Sequence, residues 1–446
     1  MNTKHTAATG TVCNPELFEF PAVKKRSVSA SFTGGEVTSD GGLTLLRQTD
    51  RRLGLTKALA KVLPDPRDPQ RIEHPLLSLV RQRIYGLAQG YEDLNDHDTL
   101  RQDLAWQTAV ERDTALASSP TLCRLENRAD RQVAWAVQEV IVDQFIASFA
   151  APPTELILDF DATDDRVHGQ QEGRFFHGYY GGYCFLPLYV FCGEQLLVSY
   201  LRPANIDAAR HAWAVVKLLV ARLRRAWPKV NIIFRGDSGF CRWRLLRWCE
   251  AHQVSYLVGL AKNARVLGLA KGVLEQAQTD FKSQQQKQRR FGEVKYAADP
   301  WDKERRVLVK AEHTDKGSNP RFVVTNLEGE AQPLYDEVFC ARGEMANRIK
   351  EQQLGLFADR TSCHGWWANQ FRVLLSSCAY VLMERLRALG RAGTELARAQ
   401  VSTIRLKLLK IGAVVLRHTR RVQLLLSSRH PYQAIFRQVV AALGSG

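Results

Sequence analysis

Two carboxylates in this chain stand where a protein can hold them still. Asp161 ends the run Leu156-Ile157-Leu158-Asp159-Phe160-Asp161, and Asp237 follows Ile232-Ile233-Phe234-Arg235-Gly236. Each closes an apolar, strand-like segment, and a rigid element fixes a terminal side chain better than a loop does. They lie 76 residues apart, so no local turn calls for both. A single Asp at a strand end is ordinarily a turn or cap residue. Two at the carboxyl ends of strands in one α/β sheet would stand where ligand sites form in such sheets. Paired carboxylates suit Mg²⁺, which keeps most of its waters and otherwise needs only a few carboxylates and phosphate oxygens. Two such cations serve phosphodiester cleavage, one raising a nucleophile and one stabilising the leaving oxygen. Asp159, on the same strand face as Asp161, and the pair Asp164-Asp165 compete for the first position.

The elements needed to position these acids can be read from the pattern. Residues 1–35 are polar, end near a basic cluster (Lys24-Lys25-Arg26), and read as a flexible basic arm. Residues 36–150 read as an α-helical, DNA-binding domain. Gly41 to Leu63 and His74 to Leu87 carry helical apolar spacing. The segment Leu116–Asn127 has the form of a recognition-helix start: Ser118 or Ser119 can cap, Pro120 fits the first helical position, and Thr121, Arg124 and Arg128 can face outward. After Ala151-Pro152-Pro153 the texture becomes mixed α/β. Strands are expected at Leu156–Phe160, Gly178–Phe191, Gln195–Leu201, Val230–Phe234 and Ser255–Leu260, with helices at Ala208–Trp227 and Arg242–His252. Residues 151–261 form the first part of this unit. A β-rich insertion is expected over 262–330, with alternating runs at Gly292–Ala297, Arg305–Glu312 and Arg321–Thr325. Residues 331–385 return to the core, and 386–446 read as a C-terminal helical region. Trp366–Leu389 and Thr403–Val415 are the helices expected from Tyr335 onward.

Composition narrows the partner. The 446 residues are 45% hydrophobic, enough for a sizeable core, and the formal net charge is +16. With a pI near 9.5, the chain suits a polyanion, because basic surface gathers phosphates and releases counterions. Nine scattered cysteines with no CxxC pair argue for reduced thiols and against zinc. The polar N-terminus lacks the apolar core of a signal peptide, and no apolar run reaches the length of a membrane span. A cytoplasmic protein with no membrane partner is the expectation.

A third segment, Phe339-Cys340-Ala341-Arg342-Gly343-Glu344-Met345-Ala346-Asn347-Arg348-Ile349-Lys350-Glu351, joins the two acids in a wider pattern. Asp161-Ala162-Thr163 and Asp237-Ser238-Gly239-Phe240 resemble the first- and second-acid motifs of DDE-type insertion-sequence DNA transposases. Asp161 is preferred over its competitors by that match. The third motif of these transposases has an aromatic residue, Arg three positions on, Glu four further, and often Lys seven beyond. Here the frame reads Phe339, Arg342, Ala346, Gln353: aromatic and Arg match, the acid does not. On a helix, Glu344 and Glu351 lie about 200° and 140° from position 346, off its face. Ala346 therefore stands in the place of a lost third acid, unless the frame is shifted and Glu351 is that acid.

The resemblance implies a ribonuclease-H-like catalytic core with the β insertion between the second and third acids. It implies Mg²⁺ (Mn²⁺ as a substitute) held by Asp161 and Asp237, with position 346 completing the catalytic set. It also implies double-stranded DNA partners, both element ends (terminal inverted repeats) and target, a homodimer on DNA, and a bacterial, nucleoid-associated setting. Arg235, Arg242, Arg342, Arg348 and Lys350 lie beside the acids in sequence and are candidates for phosphate contacts, as is Arg124 on the recognition-like helix. Trp301, in the insertion, is a candidate to stack on a flipped base. The activity expected is strand cleavage at transposon ends and strand transfer into target DNA, impaired as written by Ala346. Two rivals stand beside it: a non-catalytic DNA-binding regulator, and a ribonuclease-H-like nuclease without strand transfer.

Overall fold

The computed structural model describes residues 16–390 and 394–444. At its centre is a nine-stranded mixed sheet. The strand Glu155–Ala162 lies between Leu188–Cys192, antiparallel to it, and Asn231–Gly236, parallel to it. Gln195–Tyr200 continues one side as an antiparallel edge. Ser255–Leu260 continues the other side in parallel with Asn231–Gly236. Three consecutive antiparallel strands, then two parallel additions on the far side of the first, form the mixed sheet expected of a ribonuclease-H-like core. The parallel strands return through the helices Ala212–Ala226 and Trp243–Ala251. Those helices bury Val216, Leu219, Leu223, Leu245 and Leu246 against Leu158, Phe160, Ile232 and Phe234 on one sheet face.

The insertion takes a form that its sequence does not announce. Its strands Gln288–Tyr296, Arg305–Thr314 and Arg321–Thr325 are antiparallel, as expected, but they extend the central sheet. Arg321–Thr325 pairs directly with Ser255–Leu260, so the backbone groups of that strand are satisfied on both sides. The Tyr- and Phe-rich run Gly178–Phe191, expected as one strand, is two. Gly182–Phe185 belongs to a small three-stranded sheet and Leu188–Cys192 to the central one. Pro187, which has no N–H for a ladder, lies between them.

Helices fill residues 43–147, the longest being Arg131–Ala147. Their apolar faces share one core with the helix Trp366–Gly390 and with Leu408, Leu409 and Val439. The buried core thus runs across the expected boundaries of the N-terminal and C-terminal regions. Two expectations at the ends need correction. The C-terminal region is not purely helical: the helix expected over Thr403–Val415 is short, and Ala413–His418 with Arg421–Leu426 form a hairpin against Val37–Thr38. The β-branched pair Val414-Val415 favours a strand. Part of the arm expected over 1–35 is also a hairpin, Phe18–Val23 with Arg26–Ala30; residues 1–15 lie outside the described residues. No helix among the described residues is long and apolar enough to cross a membrane.

Candidate active site

Parallel pairing puts Gly236 beside Phe160, so the chain leaves one strand at Asp237 beside the neighbour's Asp161. Asp161 Oδ1 accepts the N–H of Ala162 at 3.0 Å. Asp237 Oδ1 accepts the N–H of Gly239 at 2.8 Å and caps the short turn Ser238–Phe240. That turn lies tight on the next strand. A Cβ at Gly259 would come within 2.9 Å of the Ser238 nitrogen, so a larger residue there would push Asp237 out of place.

The third partner is Arg342, at the start of the helix Gly343–Lys350. Its Nη2 stands 3.6 Å from Asp161 Oδ2 and 3.8 Å from Asp237 Oδ2. One guanidinium therefore bridges both acids. Burial raises the Asp161 carboxyl to about 6; Arg342 pulls it down and the neighbouring Asp237 charge pushes it up. Ala346 lies one turn beyond Arg342 on the same helix face and is exposed. Farther along, Gln353 Nε2 donates to the carbonyl of Asp164 at 3.0 Å. Arg342 and Gln353 thus both touch the segment Asp161–Asp164, and Ala346 stands between them with only a methyl group. Among the described residues no group of three or more His, Cys, Asp or Glu could hold a metal ion.

The competing acids are used elsewhere. Asp159, almost fully buried, takes a two-pronged hydrogen bond from Arg235, whose third nitrogen reaches the Val338 carbonyl. Asp165 is buried and accepts the Thr361 hydroxyl at 2.9 Å, and burial pushes its carboxyl well up. Asp164 pairs with Arg166 at 3.3 Å. Glu351, the alternative third acid, is buried away from the other two. It binds Arg387, accepts the Val401 N–H at 2.6 Å, and pairs with Arg348 at 3.2 Å.

The basic candidates divide in the same way. Arg235 is sealed against Asp159, and Arg348 is nearly buried between Glu351 and Glu194, so neither is open to a phosphate. Lys350 and Arg124 are exposed. Arg242 is exposed and pairs with Asp207 at 2.5 Å. Arg124 lies on the helix Ser119–Asn127, which begins where the sequence places it, although Ser118 makes no side-chain cap. Trp301 is not brought to the acids. It follows Gln288–Tyr296, four strands from the Asp237 strand, and beyond the end of the sheet opposite the acids. There it packs edge-on to Tyr296 at 5.4 Å, with the Arg305 guanidinium also 5.4 Å from its ring. Sequence reasoning missed the hairpin after the first acid, where Phe176, Tyr179 and Tyr183 are exposed. Its signal was the pattern Phe175-Phe176-His177-Gly178-Tyr179-Tyr180-Gly181-Gly182-Tyr183, aromatics around a glycine turn.

A family model described as "Transposase DDE domain group 1" matches residues 20–445. The chain belongs to this family of transposases. No curated protein matches the chain. One solved structure to which it is similar is a cryo-EM structure of the piggyBac transposase synaptic complex with hairpin DNA. The identity is 10% and the TM-score 0.39, over 83% of this chain and 80% of that one.

Proposed function

We propose that this chain is a DNA transposase that cuts strands at the ends of an insertion sequence and joins them to target DNA, and that Ala346 leaves it catalytically impaired. The observation that carries the reading is the helix face from Arg342 to Gln353. It lies along Asp161–Asp164 and presents a methyl group where an acid would complete the set. Asp161 and Asp237 would hold Mg²⁺, or Mn²⁺ in its place. The fit is partial. The two carboxylates already attract one cation, the Arg342 guanidinium, but two acids offer fewer oxygens than three. A bound metal would supply the charge that activates a nucleophile and stabilises the leaving oxygen. Arg342 offsets the repulsion between the carboxylates and stands ready to contact phosphate. The reaction would free a 3′-hydroxyl at the element end, which then attacks a target phosphodiester. DNA would be held in part by Arg124, Arg242 and Lys350, by a homodimer in the bacterial nucleoid.

The exposed methyl at 346 also supports a second reading, a regulator that binds DNA without cutting it. Both readings meet in one experiment: the chain and its Ala346→Glu form, incubated with DNA carrying candidate element ends, in Mg²⁺ and in EDTA. Cleavage only by the Glu form, and only with metal, supports the transposase. Cleavage by the unaltered chain overturns the role given to position 346. Binding by both forms without cleavage favours the regulator. Products joined to target DNA exclude a nuclease without strand transfer.

A further inference from the structure

Beside the first acid lies a group of exposed aromatic rings that the reading above leaves unused. Phe175–His177 and Gly182–Phe185 form a hairpin, with Asp165–Arg166 as its third strand. Phe176 and Tyr183 face each other across it, rings 5.8 Å apart, and are 59% and 49% exposed. The Arg174 guanidinium lies 4.4 Å from the centre of the Tyr183 ring. At the turn, Tyr179 is 86% exposed and stands edge-on to Tyr180 at 4.9 Å. Tyr180 and Ala162, the residue after Asp161, pack against the same small cluster of Cys184, Leu186 and Ala204.

The base of the hairpin is firmly held. The Glu172 N–H donates to the His364 carbonyl at 2.9 Å, and Glu172 Oε2 accepts the Trp366 N–H at 3.0 Å. Gly173, at φ +79°, lies so close to the Trp366 ring that a Cβ would come within 2.4 Å of it. Trp366 also packs edge-on against Phe185 at 5.4 Å. The exposed rings are therefore presented in a fixed direction from the strand that carries Asp161.

We propose that this hairpin is a stacking platform for unpaired bases of the DNA strand whose backbone lies at Asp161 and Asp237. The proposal rests on the transposase reading and gives it a second contact. Exposed aromatic clusters mark binding surfaces. A chain of net charge +16, with Arg166 and Arg174 flanking the rings, favours a polyanion as the occupant. Rings beside a backbone site take up bases of any sequence, because every base has a π-face, but a duplex hides those faces except where it opens. The stacking role expected of Trp301 passes to Phe176, Tyr179 and Tyr183, since Trp301 lies beyond the opposite end of the sheet.

The test uses the full chain in EDTA, with a short blunt duplex and the same duplex carrying a single-stranded thymidine tail with one 2-aminopurine. The unaltered chain should bind the tailed DNA on the order of tenfold more tightly, and binding should quench the 2-aminopurine fluorescence. Tyr179→Ala, and separately Phe176→Leu with Tyr183→Leu, should reduce the preference and the quenching while leaving blunt-duplex binding and the melting temperature unchanged. The leucines keep apolar area and remove the π-face, so they separate stacking from simple burial. Equal binding of the two DNAs by the unaltered chain, or a preference that survives in both variants, overturns the platform alone. Failure to bind either DNA overturns the transposase reading and the platform with it.

Discussion

Two successive rungs on one face of the same strand pair have opposite fates. At the lower rung, Asp159 and Arg235 sit opposite each other and close into a buried, two-pronged pair, with the remaining Arg235 nitrogen on Val338. At the upper rung, two residues on, Asp161 and Asp237 share a single guanidinium at 3.6 and 3.8 Å, too far for hydrogen bonds. The buried Nε of Arg342 has no partner. The lower rung has as much positive charge as negative and every prong used. The upper rung has two acids to one cation, and neither contact is short enough to be a hydrogen bond. Carboxylates beside arginine are thus fully paired in one place and incompletely paired in the other, and the chemistry proposed above falls to the incomplete pair.

The largest effect should come from completing the upper rung. Ala346→Glu should raise metal-dependent strand cleavage by several orders of magnitude, since a missing ligating carboxylate leaves transition-state charge uncompensated. Adding Asp161→Asn to that form should abolish the cleavage gained; cleavage that persists would break the comparison. The next effect belongs to the lower rung. Arg235→Ala leaves Asp159 buried without its partner and should cost about 3–5 kcal/mol of stability, read as a lower urea midpoint. A loss below about 1 kcal/mol would mean that the closed pair is not structural.

Part of this was legible along the chain. The strand runs end in acids, and Asp161, Asp237 and Arg342 do meet, because apolar strand patterns and the motif spacing are local signals. The choice between Asp159 and Asp161 was legible only by resemblance, for the deciding partner, Arg235, comes from another strand. Arg235 and Arg348 look like solvated cations in sequence; the acids that enclose them, Asp159, Glu194 and Glu351, become neighbours only on folding. Trp301 shows the same limit. Its place beyond the far end of the sheet follows from the pairing of Arg321–Thr325 with Ser255–Leu260, which no local period encodes. The hairpin over 413–426 was a different error, a short β-branched run read as the end of a helix.

The open rung should also be measurable as a stability cost. With its carboxyl raised to about 6, Asp161 binds its proton more tightly in the folded state than in the unfolded chain, so ionising it disfavours the fold. The cost is complete above pH 6, shrinks as pH falls through 6, and is gone below the ordinary Asp value. It amounts to roughly 3 kcal/mol at full ionisation. Asp161→Asn should therefore raise the urea midpoint at pH 8, with the gap to the unaltered chain closing by about pH 4. A variant less stable at pH 8 would place Asp161 with the closed rung.

The smallest effect tests the cation that holds the open rung together. Arg342 opposes the burial that raises the Asp161 carboxyl, but it does so partly exposed and beyond hydrogen-bond distance. Its coupling to Asp161 should be about 1 kcal/mol or less. Arg342→Gln should widen the Asp161→Asn gap and raise the pH at which it levels off, because the folded carboxyl then loses its nearest positive charge, while the pH at which the gap opens, set by the unfolded chain, should not move. A double-mutant cycle isolates the coupling, and added salt should weaken it, since the pair is partly open to solvent. A coupling as large as the loss from Arg235→Ala would mean that Arg342 closes the upper rung much as Arg235 closes the lower. In that case the space between Asp161 and Asp237 would be a filled structural contact, and Ala346→Glu would have no open site to complete.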